Sequence, residues 1–332
     1  MNKENTVEPG YLSLYNSGEL KKRVEQLESR LACCDICPRN CGVNRLDGER
    51  GFCSSAYLPA VSSVVAHHGE EPVLSGTRGS GTIFFGNCNL RCVFCQNYQI
   101  SQDPETQRNN ELSIRSLAEK MVYLQDKVQC HNINLVSPTH YVPQIVRAVM
   151  EAIPMGLHLP LVYNTGSYDS LETIKTLDDI ISIYLPDLKY ASDDFSEKFS
   201  KAPDYVKHSR AAIKEMFRQV GDIITDENGI AVKGMIVRHL ILPNELAGSN
   251  NSLRWLAKEI SPSVAVSIMS QYYPTVNARK VPQLGRSISL KEYREVVNLA
   301  HELGLENGWI QEMESKEYYL PDFSNTDSPF YK

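Results

Sequence analysis

The stretch GTIFFGNCNLRCVFCQN, residues 81–97, joins an apolar run to three cysteines. Residues 81–85 read as a strand, because consecutive apolar and β-branched side chains suit a strand buried on both faces. Cys88, Cys92 and Cys95 follow at once, spaced C-x3-C-x2-C. A loop directly after such a strand lies at the end where parallel α/β folds carry their chemistry. The spacing raises one question: why three thiols there, and not four.

Working outward, the same alternation recurs. Strands are expected at 81–85, 132–138, 159–164, 180–187, 234–243 and 263–272, with helices at 113–127, 141–153, 169–178, 205–220, 250–260 and 290–304. Near-continuous apolar strands alternating with helices imply a parallel sheet covered by helices. Six such units are too few for a closed eight-fold barrel. The expected fold is α/β, a partial (β/α)6 barrel of the TIM type, with a doubly wound sheet as the runner-up. Two helix starts carry the spacing of reciprocal capping, Ser289 with Glu292 and Asp169 with Glu172. Before the barrel, Leu20, Val24, Leu27 and Leu31 recur at helical spacing and predict a helix packed on the main domain. The expected division is an N-terminal helix and Cys-rich extension over 1–75, the barrel over 76–310 and a tail over 311–332.

Composition narrows the function. The chain has 332 residues, 42% of them hydrophobic, and a net charge of −6. It can bury a sizeable core, and no basic block suggests double-stranded nucleic acid as a partner. The N-terminal residues do not form a secretory leader, and no apolar run approaches a bilayer span, so a soluble, cytoplasmic protein is expected. Eight of the nine cysteines lie between residues 33 and 95. In a reducing cytosol that clustering favours metal over disulfides.

A zinc ion at Cys88, Cys92 and Cys95 would want a fourth ligand, and no other cysteine lies within thirty residues on either side. Three thiolates suit a 4Fe–4S cluster with one iron left open. Here the sequence resembles the radical S-adenosylmethionine (SAM) superfamily, in its C-x3-C-x2-C spacing and in the aromatic Phe94 before the third cysteine. The resemblance implies that SAM chelates the open iron and is cleaved reductively. The product is a 5′-deoxyadenosyl radical that abstracts hydrogen. It also implies a one-electron donor, a flavodoxin or ferredoxin. From about residue 33 the segments CPRNCGVNR, NINLVSPTHYVP, YNTGSY, IYLPDLKY and RHLILP are similar to an uncharacterised subfamily related to pyruvate formate-lyase activating enzymes, which activate glycyl radical enzymes.

That resemblance assigns the SAM site to strand ends. Pro138 and Thr139 stand where the superfamily has a glycine-rich turn at the SAM amino group. Asn164, Thr165, Asp187 and Lys189 stand where activating enzymes place groups near the SAM carboxylate and, in some, a monovalent cation. An asparagine here replaces their aspartate. Arg238, an arginine within an apolar strand, is assigned to SAM, with an ion pair to Asp187 as the alternative. His140 and Tyr272 are the candidate catalytic side chains, and Gln271 and Tyr273 are expected on the substrate side. His239 and Cys130 read as structural.

Cys34, Cys37, Cys41 and Cys53, spaced C-x2-C-x3-C-x11-C, make a complete ligand set for zinc or for a second cluster, with buried or redox-active free thiols as the alternative. Cys33 is the spare. The loop HHGEEP, residues 67–72, reads as structural or as lining a cavity. Three functions stay open at this point. One is a glycyl-radical activase, and one is a radical SAM enzyme acting on a small molecule or peptide. The third is a non-enzymatic metal scaffold.

Overall fold

The structure, a computed structural model, describes residues 8–313, 321–327 and 329–330. The expected tail therefore lies in part outside the described residues, as do the first seven residues of the stretch examined for a leader. The strands are β1 (Val61–His67), β2 (Ser80–Phe85), β3 (Ile133–Val136), β4 (Leu161–Thr165), β5 (Ile183–Pro186), β6 (Ile224–Thr225), β7 (Ala231–Leu240), β8 (Ala265–Met269) and β9 (Gly308–Ile310). They run in one sheet in the order β1-β2-β3-β4-β5-β7-β8-β9, with β6 paired beside β7. From β2 to β9 every pairing along this path is parallel, and β1 joins β2 antiparallel.

Neighbours in the sheet are neighbours in sequence. A doubly wound sheet reverses its strand order at a switch point, and this one does not. The fold is a partial barrel of the TIM type. The six strands expected from sequence are β2, β3, β4, β5, β7 and β8. The barrel has one parallel strand more, β9, whose GWI is too short to show a period. β1 lies within the segment assigned to the N-terminal extension, so the sheet begins there. Its burial alternates irregularly because a register shift interrupts its pairing with β2, which is why the period-two signal was absent.

All residues of β2, β3 and β5 are buried, as expected of strands covered on both faces. The helix Glu19–Ser29 and the turn after it put Leu20, Val24, Leu27 and Leu31 at 0% exposure, against the helix Val142–Ala152. Burying each such side chain contributes about 1.5–3 kcal/mol, so this helix is part of the barrel's outer packing. Ser289 and Glu292 form the reciprocal cap expected of them. Asp169 and Glu172 do not. The cap residue of the helix Leu171–Thr176 is Ser170, without a side-chain cap bond, and the Asp169 carboxylate turns inward instead. No helix of the described residues is long and apolar enough to cross a membrane.

Candidate active site

The strands' C-terminal ends surround a cavity of about 400 Å3. Cys88, Cys92 and Cys95 line it from the loop after β2, with Ser137 and Thr139 after β3, Asn164 and Thr165 at the end of β4, Asp187 and Lys189 after β5, and Arg238 on β7. Residues from five separate stretches thus meet in one place. No fourth cysteine lines this cavity.

The thiols are embedded in donors. Ser200 Oγ donates to Cys92 Sγ at 2.9 Å, the Leu90 backbone N–H to Cys88 Sγ at 3.4 Å, and the Cys95 and Ser101 side chains stand 3.3 Å apart. Burial pushes the thiol pKa up, to about 11 at Cys88 and about 12 at Cys95. The unliganded site therefore holds neutral thiols, and an iron cluster would have to displace their protons, as metals do. Three thiols on one cavity, with N–H and O–H groups aimed at sulfur and no fourth cysteine, fit a cubane with one open iron.

Around the thiols the charges pair off. Lys189 Nζ lies 2.5 Å from Asp187 Oδ2. Burial alone would pull the Lys189 pKa down, but the Asp187 carboxylate, by its charge and its hydrogen bond, outweighs it, and Lys189 stays above the ordinary lysine value. Arg238 is held from the loop 67–72 and not by Asp187. Its Nε and NH2 reach Glu71 at 2.9 and 2.6 Å in a bidentate pair, and NH2 also bonds Glu70. Glu71 is buried, which raises its pKa, yet Arg238 wins and holds it below the ordinary carboxylate value. Between Asp187 and Arg238 the link is backbone: the Leu188 N–H donates to the Arg238 carbonyl. Sequence reasoning found the arginine and missed its partners, although two adjacent glutamates beside two histidines were the available signal.

Thr139 and Thr165 are tied from behind. Asp169, 0% exposed, accepts hydrogen bonds from Thr139 Oγ1 at 2.8 Å, Tyr163 OH at 2.8 Å and Thr165 Oγ1 at 2.6 Å. Burial raises its pKa, and the three donors oppose that. Ser137 supplies what the missing glycines would. It takes φ +57° at the end of β3, a conformation that glycine adopts at no steric cost.

Several expected residues lie elsewhere. His140 is buried behind the loop 86–97, with Nε2 3.0 Å from the Gly86 carbonyl oxygen, and burial takes its pKa down to about 3. It does not line the cavity, and neither does Pro138. Tyr272 packs its ring against Phe94 and donates from its hydroxyl to the Leu284 carbonyl. Neither catalytic candidate lines the cavity: both are buried, held by neighbours that sequence does not reveal. Gln271 lines the cavity, whereas the Tyr273 hydroxyl accepts from Arg279. His239 is held by the Leu188 carbonyl and Ser249 Oγ, and Cys130 is buried. Two contributions went unforeseen from sequence, Phe330 and Trp309 of β9; they line the cavity beside His67 of the loop 67–72, whose ring stacks on Phe330 at 3.9 Å.

Residues 82–244 match the family model of the radical SAM superfamily. The domain so matched belongs to that superfamily. The matched radical SAM region thus runs from within β2 to just past β7, and it spans every strand end named above except those of β1, β8 and β9. An uncharacterised protein of Methanocaldococcus jannaschii, MJ0674, is 29% identical over 294 residues, which cover 86% of this chain and 80% of that one. A second from the same organism, MJ0808, is 28% identical over 195 residues, or 54% and 55% of the two chains. Among solved structures, a radical SAM methyltransferase from Sphaerobacter thermophilus aligns with TM-score 0.46 at 11% identity, over 69% of this chain and 65% of that one. HydG, a maturase of the [FeFe]-hydrogenase, aligns with TM-score 0.46 at 13% identity, over 68% and 49%.

Proposed function

We propose that the chain is a radical SAM enzyme whose Cys88, Cys92 and Cys95 hold a 4Fe–4S cluster and whose strand ends hold SAM. The observation that carries this reading is the meeting of those three thiols with Asn164, Asp187, Lys189 and Arg238 on one cavity at the C-terminal side of a partial barrel. When bound, the cluster and SAM supply a reductively generated 5′-deoxyadenosyl radical that takes a hydrogen atom from the substrate.

The chain's own residues have the remaining work. Asp187 and Lys189 offer one carboxylate and one ammonium, matched in sign to the amino and carboxylate ends of an amino acid. Asn164 adds an amide. Asp169 fixes Thr139 and Thr165 so that the wall they form does not relax. The apolar Leu240, Trp309 and Phe330 exclude water from the space above.

Two substrate classes follow from this site. In the activase-like reading, the hydrogen comes from a glycine of a glycyl radical enzyme. In the other reading, it comes from a small molecule or a peptide. One observation favours the second: Phe323 and Phe330 pack on Phe84, and Phe330 on His67, which narrows one side of the cavity. A large partner protein needs that side open, whereas a small substrate gains from its cover. A single electron must arrive from a donor of the flavodoxin or ferredoxin type.

The test is anaerobic reconstitution with iron and sulfide, then SAM and a reductant. The expected product is 5′-deoxyadenosine. Its absence from a preparation carrying the intact cluster overturns the reading. Deuterium carried into 5′-deoxyadenosine from a labelled small-molecule pool, and not from a labelled glycyl radical enzyme, would decide between the two substrate classes.

A further inference from the structure

The second group of cysteines lies directly behind the first. Cys34, Cys37, Cys41 and Cys53 line one small cavity together with Arg45 and His140. It is walled off from the larger cavity by the loop 86–97. Arg39 Nε donates to the Asn89 carbonyl at 3.0 Å, and Arg91 NH2 to the Phe52 carbonyl at 2.6 Å, so the two cysteine segments are hydrogen-bonded to each other.

Two features of this cavity suit an anionic occupant bonded through sulfur. Arg45 is only 1% exposed, which makes it one of the largest fully buried side chains of the protein. Its guanidinium donates to the carbonyls of Ala56 and His140, and no described carboxylate pairs with it. A buried cation without a counter-charge is costly. The side chain that its remaining reach meets is a thiol, Cys34 Sγ, at 4.0 Å. Secondly, the backbone is shaped around sulfur. The Phe52 N–H donates to Cys41 Sγ at 3.4 Å, and a Cβ on Gly51 would stand 2.7 Å from that same sulfur.

Geometry separates zinc from a cluster. Sulfurs that share a zinc ion stand about 2.3 Å from it. A water-sized sphere of about 1.4 Å radius cannot sit among sulfurs that close. Yet the small cavity that these four thiols line, together with seven other residues, admits such a sphere, with about 10 Å3 open to its centre. Among the described residues no three His, Cys, Asp or Glu side chains close on a point that one ion fills. In an iron–sulfur cluster the thiolates are shared among several irons and stand farther apart, around a common centre. The same holds for Cys88, Cys92 and Cys95, which also face one space without closing on one point.

We propose that Cys34, Cys37, Cys41 and Cys53 hold a second iron–sulfur cluster, fully ligated by protein thiolates, whose negative charge is the counter-ion of buried Arg45. The ligand set leaves no open iron, so this centre binds no substrate. This inference does not depend on the SAM-binding role of the first site.

The experiment uses the full chain carrying Cys88→Ala, Cys92→Ala and Cys95→Ala together, reconstituted anaerobically with iron and sulfide. The N-terminal quartet is intact in that variant, so its result does not hinge on whether a change in the quartet folds. The expected result is about two to four irons per chain with an equal amount of acid-labile sulfide, and a visible charge-transfer absorption. Adding Cys33→Ala, at the exposed spare, leaves that iron in place, and adding Cys37→Ala in its stead removes it. Zinc without sulfide in the triple variant, or a folded triple variant with no metal, overturns the proposal. Retained iron in the triple variant beside a wild type that fails to cleave SAM would sink the enzymatic reading alone.

Discussion

The two thiol groups of this protein differ in what surrounds them more than in their chemistry. Cys88, Cys92 and Cys95 face a cavity of about 400 Å3, bordered by side chains of both charges. Cys34, Cys37, Cys41 and Cys53 face a space of about 10 Å3, bordered by Arg45, Arg39 and a histidine. The first group has fewer ligands than a cluster has irons, and it has room beside them. The second has a full set and no room. Burial raises the thiol pKa to about 12 in both, at Cys95 and at Cys37, so acidity does not distinguish them. Ligand count and adjoining volume do, and these are the properties that separate a site for chemistry from a closed one.

The hardest blow to this comparison would come from single cysteines. Cys92→Ala should take SAM cleavage to background while the iron of the quartet stays, read by 5′-deoxyadenosine yield beside iron content. Cys37→Ala, provided that it folds, should lose iron at the quartet and keep measurable cleavage. Equal loss of cleavage in the two folded variants would erase the distinction.

Next in size is the charge wall of the larger cavity. Arg238→Ala leaves Glu71 and Glu70 buried without their partner, and stability should fall by about 3–5 kcal/mol. The pH dependence gives the sign. Arg238 holds Glu71 below the ordinary carboxylate pKa of about 4.3. Its contribution is therefore complete above that pH and is lost as pH falls through the lower, folded value. In Arg238→Ala only hydrogen bonds from Ser267 and the backbone still oppose burial, so the gain in melting temperature as pH rises through the carboxylate range should shrink or reverse. A variant with the wild-type profile would show that the clamp is not what orders the loop 67–72.

Asp187→Asn keeps the shape and removes the charge. If Asp187 holds SAM, affinity should weaken by about ten- to a hundredfold, the equivalent of roughly 1.5–3 kcal/mol for a charge-assisted bond. The iron at both thiol groups should be unchanged. SAM titration with the melting temperature recorded alongside separates binding from structure, and unchanged affinity with a lower melting temperature refutes the binding role.

The smallest effect is expected at Ser137. Its φ of +57° is available to glycine without strain, so Ser137→Gly should shift stability by no more than about 1 kcal/mol in either direction and leave SAM affinity intact. Ser137→Val, β-branched in the left-handed region, should cost about 1–3 kcal/mol. Equal stabilities of the two variants would mean that this turn does not hold the left-handed conformation.

Much of this was legible in the chain itself, and the parts that were not have a common cause. The parallel strands β2, β3, β4, β5, β7 and β8 announced themselves as apolar runs, because burial on both faces writes a local signature. β1, interrupted by a register shift, and β9, three residues long, wrote none. The reciprocal cap at Ser289 is local and was readable. The same spacing at Asp169 misled, because the hydroxyls of Tyr163 and Thr165 on the strand just before it, with Thr139 from 30 positions away, outbid the helix terminus for its carboxylate. His140 and Tyr272 looked reactive by residue type, and burial made them structural.

By itself the sequence determined that thiols would stand on the loop after the first parallel strand, since spacing and strand period act over a few residues. It determined also that a second, complete set of thiols lies ahead of them. Only the tertiary structure decided which charges meet. Arg238 takes Glu71 across 167 positions of chain, and Arg45 reaches the His140 carbonyl across 95. Such pairings depend on how strands register and loops close. A carboxylate or a guanidinium placed in an apolar interior settles on whichever partner the fold brings within reach, because leaving it unpaired there costs more than any local preference supplies.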